Sequence, residues 1–417
     1  MGGNSSSKAE KKAKKAKKSG KTPATTPAVE VVQDPKVSPR QPQEQKVEKP
    51  EAKETPQETK EDHLEDLKKT DEVEKVDDYV ELYNSSQKKV TQDDFDLVRV
   101  IGRGSFGKVM LVQKKDDKKY YAMKILRKDV VKERKQVDHT KAEKTVLMQI
   151  SHPFIVKLYY AFQTADKLYM ILEFVNGGEL FHHLKEENSF SEERSKFYAA
   201  EIALVLIHLH SLDIIYRDLK PENILLDNTG NVVITDFGLS KQLAEGQDTS
   251  TFCGTPDYLA PEILKGTGHG AAVDWWSLGI LIYEMIVGIP PFYDDDVSIM
   301  YQKILKSQPH FPKNISYDAK SVIMGLLEKD PNDRLEGKDV IEMEWFKDID
   351  FDKLLKKEVP PPWVPPVKSK TEISQIDEEF IDEDAVDTPP NEGNTNNPDN
   401  TFEGFTFVQP NAMGEEQ

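Results

Sequence analysis

Ile214-Ile215-Tyr216-Arg217-Asp218-Leu219-Lys220-Pro221-Glu222-Asn223-Ile224-Leu225 is the stretch that decides how this chain is read. Apolar pairs enclose Arg, Asp, Lys, Glu and Asn, with an apolar helical pattern before them. Eleven residues after Asn223, Ile234-Thr235-Asp236-Phe237-Gly238 begins. Ala260-Pro261-Glu262 and Asp274-Trp275-Trp276 follow. Each short string is common alone; their fixed order is not.

Upstream, Phe95-Asp96-Leu97-Val98-Arg99-Val100-Ile101 alternates as a strand does. It runs into Gly102-Arg103-Gly104-Ser105-Phe106-Gly107-Lys108-Val109. A lone G-x-G-x-x-G is a weak signal, and a dinucleotide fingerprint would continue into a helix. Here Val109-Met110-Leu111-Val112 favours a second strand. Asp116-Asp117 marks a turn, and Tyr120–Leu126 reads as a third strand. A hairpin with glycines at its tip lays backbone amides over phosphates, and side chains there would block the approach. Lys124 lies inside the third strand, where an unpaired ammonium is expensive to bury. Glu143, in the helical stretch Asp138–Ile150, is the matching carboxylate. On these residues alone, an ordinary structural ion pair is an equal reading.

Composition divides the chain. The whole has 417 residues, net charge −18 and one cysteine. One cysteine excludes a disulfide scaffold and a Cys-rich zinc module. No apolar run reaches the ~18 residues of a membrane-spanning helix. The N-terminus lacks the apolar core of a secretory signal. The acidic balance speaks against nucleic acid as a partner. Residues 1–78 contain no Phe, Tyr, Trp or Cys. Such a stretch cannot bury enough apolar surface to offset its ordering entropy, so it is expected to be disordered. The last 47 residues, from Thr371, carry 13 Asp or Glu and no Lys or Arg. Between them about 250 residues can form a sizeable core, in two lobes.

The chain opens Met1-Gly2-Gly3-Asn4-Ser5-Ser6, which fits an N-myristoylation signal on Gly2. Eight lysines and one acid, Glu10, follow between Lys8 and Lys21. One acyl chain holds a membrane only marginally, and a basic run against anionic lipid is the second signal needed. The expected segments are therefore a lipidation and polybasic stretch over 1–21 and an extended linker over 22–90. The expected location is the cytoplasmic face of the plasma membrane, with cytoplasm or nucleus as the alternative.

The ordered strings resemble those of a eukaryotic protein kinase catalytic domain. Tyr216-Arg217-Asp218, Thr251-Phe252-Cys253-Gly254-Thr255-Pro256 and an aromatic C-terminal motif resemble the AGC group of Ser/Thr kinases. Within it, the likeness is to the protein kinase B (Akt)-related branch, including its myristoylated members in social amoebae. The resemblance spans roughly residues 90–410. It implies an α+β, bilobal protein kinase fold: a β-rich N-lobe, an α-helical C-lobe, and an AGC C-terminal tail. The catalytic domain would cover 95–346 and the regulatory tail 347–417.

The resemblance also implies roles. Asp218 orients or accepts the substrate proton, and Lys220 neutralises the γ-phosphoryl group. Asn223 and Asp236 supply oxygen to Mg2+. Lys124, oriented by Glu143, holds the phosphates of ATP. The loop Gly102, Arg103, Gly104, Ser105, Phe106, Gly107 and Lys108 covers the nucleotide. Ile101, Val109, Ala122, Leu172, Leu225 and Thr235 line the adenine pocket, with backbone groups of Glu173 and Val175 facing the base. Glu179, Glu222 and Glu284 match positions that attract basic residues upstream of the acceptor, which implies Arg-x-Arg-x-x-Ser/Thr protein substrates. The alternative is a catalytically weak scaffold on the same fold.

Three phosphosites follow by the same likeness: Thr251 in the activation loop, Thr388 in a turn motif and Thr406 in Phe402-Glu403-Gly404-Phe405-Thr406-Phe407. Upstream kinases for the activation loop and hydrophobic motif are the implied partners. Arg217, Lys241 and His139 match the cations that would receive phospho-Thr251. Thr255 reads as a structural contact to the catalytic loop. The three phenylalanines are expected to dock beside the 138–150 helix, with Gln163 near the Thr406 phosphate. Phe380 is expected near the adenine pocket. His182, His183, His208 and His210 lack a metal-ligand set.

Overall fold

The computed structural model describes residues 89–104, 106–243, 249, 251–369, 372–375, 383, 385–387 and 400–410. Gly2, the Lys8–Lys21 run, Ser105, Phe380 and Thr388 lie outside the described residues, as does the expected disordered stretch over 1–78.

The first lobe is built on one antiparallel sheet. Its strands are β1 (Phe95–Gly104), β2 (Gly107–Lys114), β3 (Tyr120–Arg127), β4 (Leu158–Gln163) and β5 (Lys167–Glu173). The helices α1 (Lys128–Glu133) and α2 (Val137–Gln149) connect β3 to β4. The strand order is β1-β2-β3-β5-β4, and a tail strand β10 (Phe407–Val408) extends it at β4. β2 and β3 pair without a bulge from Gly107↔Leu126 to Gln113↔Tyr120. That register demands glycine at 107: a Cβ there would sit 1.7 Å from the Ile125 carbonyl oxygen. Gly104, by contrast, meets nothing within 4 Å. Only the third glycine of the run is thus required by packing within the lobe.

The second lobe is helical. It contains α3 (Leu180–Glu187), α4 (Glu192–Ser211), the short strands β6 (Ile214–Ile215), β7 (Ile224–Leu226), β8 (Val232–Ile234) and β9 (Lys241–Gln242), α5 (Pro261–Lys265) and α6 (Ala272–Val287). Then come α7 (Val297–Lys306), α8 (Tyr317–Leu326), α9 (Gly337–Ile341) and α10 (Phe351–Leu355). α4 and α6 are buried over most of their length, which suits central helices. Ser191, Asp296 and Ser316 cap α4, α7 and α8 with side-chain oxygens on backbone N–H groups. Asp296 is the last of three consecutive aspartates, Asp294 to Asp296. Gly288, at φ 93°, closes α6 in the left-handed region. Arg334 and Glu262 form a bidentate ion pair at 2.6 and 2.9 Å, both buried. Removing either partner would strand a buried charge.

The lobes meet where β8 passes the segment before β4. Ile234 donates to Phe154 O (2.8 Å), and its carbonyl accepts from Val156 N–H (3.0 Å). The tail closes the far side. Phe402, Phe405 and Phe407 are buried. Lys144 of α2 donates to Gly404 O at 2.8 Å. The expected docking beside the helix is present, and the structure adds strand pairing, Phe407↔Ala161 and Val408↔Tyr160. Backbone pairing at an open sheet edge is sequence-tolerant, so no residue type announces it.

Candidate active site

Two sets of polar side chains, one from each lobe, face the cleft. In the first, Lys124 of β3 donates to Glu143 of α2 at 2.6 Å and lies 3.7 Å from Asp236. Burial opposes the Lys124 charge, but Glu143 and Asp236 outweigh it and raise the ammonium above its ordinary value. Lys124 in turn holds the Asp236 carboxyl below its ordinary range, against the effect of burial. Both groups therefore stay charged near neutrality. A cavity of ≈ 380 Å³ opens here, lined by Arg103, Phe106, Lys108, Lys124, Glu143 and Asp236 among others.

The second set surrounds Asp218. Lys220 Nζ donates to Asp218 Oδ2 (2.9 Å) and to Thr255 Oγ1 (3.1 Å). Thr255 Oγ1 donates to Asp218 Oδ1 (3.3 Å), which makes it the structural contact read from sequence. Asn223 Nδ2 donates to the Asp218 carboxylate and carbonyl at 2.8 and 2.9 Å. That leaves the Asn223 side-chain oxygen for another partner. With the half-exposed Asp236 carboxylate, it forms a donor set of the hard type that suits a divalent cation. Among the described residues no group of three or more His, Cys, Asp or Glu forms a metal site of another kind.

The backbone that presents these groups is strained. Arg217 and Asp236 have φ of 68° and 53°. Non-glycine residues hold such angles only when their surroundings over-determine them. For Arg217 the restraint is Asp274, fully buried, which accepts from Tyr216 N–H (2.9 Å), Arg217 N–H (2.7 Å) and His210 Nε2 (2.8 Å). For Asp236 it is Gly238 N–H at 3.2 Å. Tyr216 also donates its hydroxyl to Thr235 O (2.6 Å). The Asp-Trp-Trp string signalled the fold, but nothing in it announced that Asp274 pins the catalytic loop from 57 and 58 positions away.

Of the adenine-pocket candidates, the register makes direct partners of Ala122 and Leu172 alone. Gly102↔Val109 and Ala122↔Leu172 are cross-strand partners, and Leu225 bridges Glu179. Thr235 donates its hydroxyl to Asn223 O (3.1 Å). Glu173 N–H is engaged by Lys157 O at 2.9 Å, so its remaining backbone offer to a base is the carbonyl.

The candidate substrate carboxylates differ. Glu179 and Glu222 are exposed. Glu284 is partly buried and accepts from the Tyr258 hydroxyl. Burial, with Glu222 and Asp257 nearby, pushes its carboxyl up to about 7. Glu222 and Glu284 thus share one electrostatic neighbourhood.

Around the activation segment, Thr251 is exposed. Lys241 donates instead to Thr249 Oγ1 at 2.9 Å, and buried Thr249 pairs with His269 as a β-bridge. Sequence reasoning passed over Thr249. Arg217 Nε donates to Leu239 O (2.7 Å), while its Nη1 is buried with no hydrogen-bond partner. His139 Nδ1 contacts Gln136 Oε1 at 2.6 Å. Thr406 is exposed, and Gln163 bonds to Phe402 O (2.7 Å) and Lys128 Nζ (2.7 Å) rather than to Thr406. Burial raises the Cys253 thiol, which disfavours its thiolate. His183 is buried on Gly177 O, and His152 and His208 stack.

Comparison with known proteins agrees with this geometry. Residues 95–346 match the protein kinase domain family, and 367–407 the protein kinase C terminal domain family. The chain is 56% identical over 338 residues to Protein kinase 2 of Dictyostelium discoideum, covering 80% of this chain and 71% of the relative. It is 51% identical over 324 residues to a RAC family serine/threonine-protein kinase homolog of the same organism, covering 77% and 73%. It is 46% identical over 313 residues to human RAC-beta serine/threonine-protein kinase, covering 74% and 65%.

Proposed function

The chain belongs to the protein kinase family, as a Ser/Thr kinase of the AGC group related to the RAC kinases, and on that footing we propose how its residues act and what they act on. The observation that carries the reading is the Asp218–Lys220–Thr255–Asn223 cluster facing the Lys124–Glu143–Asp236 network across one cleft.

ATP lies under the glycine hairpin, its adenine between Val109, Ala122 and Leu225. Lys124 holds its phosphates. Asn223 and Asp236 would hold Mg2+, which would screen phosphate charge. Asp218 accepts the proton of the acceptor hydroxyl as that oxygen bonds to the γ-phosphorus and the bond to the ADP oxygen breaks. Lys220 stabilises the charge on the transferring group.

The substrates are proteins with basic residues before the Ser or Thr, drawn by Glu179, Glu222 and Glu284. Phosphorylation of Thr251 supplies the partner that Arg217 Nη1 lacks and orders the segment beside Asp218. Modification of Thr406 favours the docked tail and the Lys124–Glu143 pair. Upstream kinases act on both sites, and Thr388 is a third target. Gly2 acylation with the adjacent lysines holds the enzyme on an anionic membrane surface at the cytoplasmic face of the plasma membrane. Mass measurement of the N-terminal peptide from native cells tests that tether. A myristoyl adduct supports it. A free Gly2 or acetylated terminus returns the basic run to a nuclear or cytosolic role.

The test of the core reading is phosphate transfer from ATP to an Arg-x-Arg-x-x-Ser peptide. Replacing Asp218 by Asn should lower the rate by two or more orders of magnitude while leaving ATP binding in place, as expected for loss of a general base.

A further inference from the structure

Away from the Lys124 and Asp218 sets, five titratable side chains from four elements meet where the lobes join. They are His152 between α2 and β4, Glu201 and His208 on α4, Asp227 after β7, and Lys357 after α10. Glu201 and His208 are seven positions apart, so two turns of α4 put them on one face. The His152 and His208 rings stack, with centroids 5.2 Å apart and 26° between planes. His152 is 7% exposed, and Nε2 of His208 is buried with no hydrogen-bond partner. Lys357 Nζ stands over the Phe154 ring at 5.5 Å and pairs with Asp227 at 2.9 Å. Glu201 Oε2 accepts from Val232 N–H at 2.8 Å.

A short hydrogen-bond chain ties this cluster to the cleft. His152 Nδ1 accepts from Phe154 N–H at 3.3 Å, which leaves the ring proton on Nε2. Phe154 O in turn accepts from Ile234 N–H, two residues before Asp236. An imidazolium donates from both nitrogens, so a proton at Nδ1 breaks the bond to Phe154. It also sets a cation against His208 and Lys357. Burial, then His208 and Lys357, push His152 down to about 4 from 6.5, and burial lowers His208. Neither nearby carboxylate is placed to receive the charge. Burial pushes Glu201 well above the usual carboxylate range, so it stays largely protonated in mild acid. Burial opposes the Asp227 charge, but Lys357 and Thr229 hold its carboxyl below that range, so its charge is committed to Lys357.

We propose that the His152–His208 stack is a proton-operated joint between the lobes that positions Asp236 for phosphate transfer. Neutral, the stack holds the 152–156 segment against α4, and Phe154 and Ile234 carry that hold to Asp236. A proton taken from water onto Nδ1 of His152 releases Phe154 and drives the rings apart. The closed joint disfavours that proton, so closure is fully favoured above pH 6.5 and is lost as pH falls toward 4. The consequence for transfer rests on the reading that Asp236 and Lys124 face the phosphates of ATP; the joint itself does not.

Hydrogen exchange of the full-length chain at about pH 7.5 and about pH 5, corrected for intrinsic rates, measures the opening of the joint. Over residues 152–156 the wild-type opening constant should rise about thirtyfold or more between the two, one decade per pH unit below 6.5 for His152 alone. His152→Asn keeps an oxygen acceptor for Phe154 and takes no proton; His208→Phe keeps the stack and takes none. The double variant should flatten the rise, with each single between. The kcat of the double variant at saturating ATP and peptide, divided by that of the wild type so that titration at Asp218 cancels, should be near one at the higher pH. That ratio should grow about twofold or more at the lower pH. Exchange in the α6 core should stay flat in every chain. A wild-type rise absent, repeated in the double variant, or matched in α6 would overturn the joint. A flat kcat ratio beside the expected exchange would overturn its link to Asp236. A wild-type chain without transfer at the higher pH would overturn the reading of the site, while its exchange still tests the joint.

Discussion

Asp274 carries more structural consequence than any residue that touches substrate. Its buried carboxylate accepts two backbone N–H groups and His210. Replacing it by Ala strands those donors, each at about 1–3 kcal/mol. Asp274→Ala should therefore lower unfolding free energy by about 3 kcal/mol or more, read by chemical denaturation, and let Arg217 relax from φ 68°. Glu284 gives a pH signature. Its carboxyl titrates at about 7, against an ordinary 4.5. Below pH 7 it is mostly neutral and attracts no arginine; above, it is charged. The KM of an Arg-bearing peptide should thus fall about tenfold from pH 6 to pH 8 beyond any change seen with the Arg→Ala peptide, one pH unit being one decade of charged fraction. The same shift makes Glu284 oppose folding increasingly as pH rises from about 4.5 to 7, since the folded form holds its proton longer. An unchanged KM ratio would remove Glu284 from the substrate pocket.

At the scale of elements, the catalytic strings were legible because phosphoryl transfer needs particular residue types at fixed spacing. Strands β1 to β3, the α2 helix and the Lys124–Glu143 pair follow from alternation and from the expense of a buried lysine. β10 was not legible, since two residues joining an edge strand leave no periodic trace. Arg103 pairs with Glu383, 280 positions on, and Thr249 pairs with His269 through backbone hydrogen bonds. Nothing local encodes such partners. Gly107 is the element-scale weak point. Gly107→Ala would drive a Cβ into the Ile125 carbonyl and break the β2–β3 register. Phe405→Ala should cost about 3–5 kcal/mol of packing and release the tail from α2. Hydrogen exchange should then rise along α2 and β4, with catalytic rate falling while the α4 and α6 core stays protected. Protection unchanged at α2 would show that the tail does not support that helix.

Across the whole molecule, neither lobe holds a complete site. Lys124 and Glu143 come from the sheet lobe, and Asp218, Lys220, Asn223 and Asp236 come from the helical lobe or its junction. Two parts of the tail also contact the sheet lobe: β10 at the β4 edge, and Glu383 and Asp387 through Arg103 and Lys167. Phosphate transfer therefore needs residues of both lobes brought to one cleft. The most direct measurement is phosphate transfer from ATP to an Arg-x-Arg-x-x-Ser peptide by the full-length chain, compared with the same peptide bearing Ala at both arginines and with the Asp218→Asn enzyme. The account predicts transfer to serine, weakened at least tenfold by loss of the arginines and by about a hundredfold or more by Asp218→Asn with nucleotide affinity retained. Equal rates for both peptides, or full activity in Asp218→Asn, would contradict it.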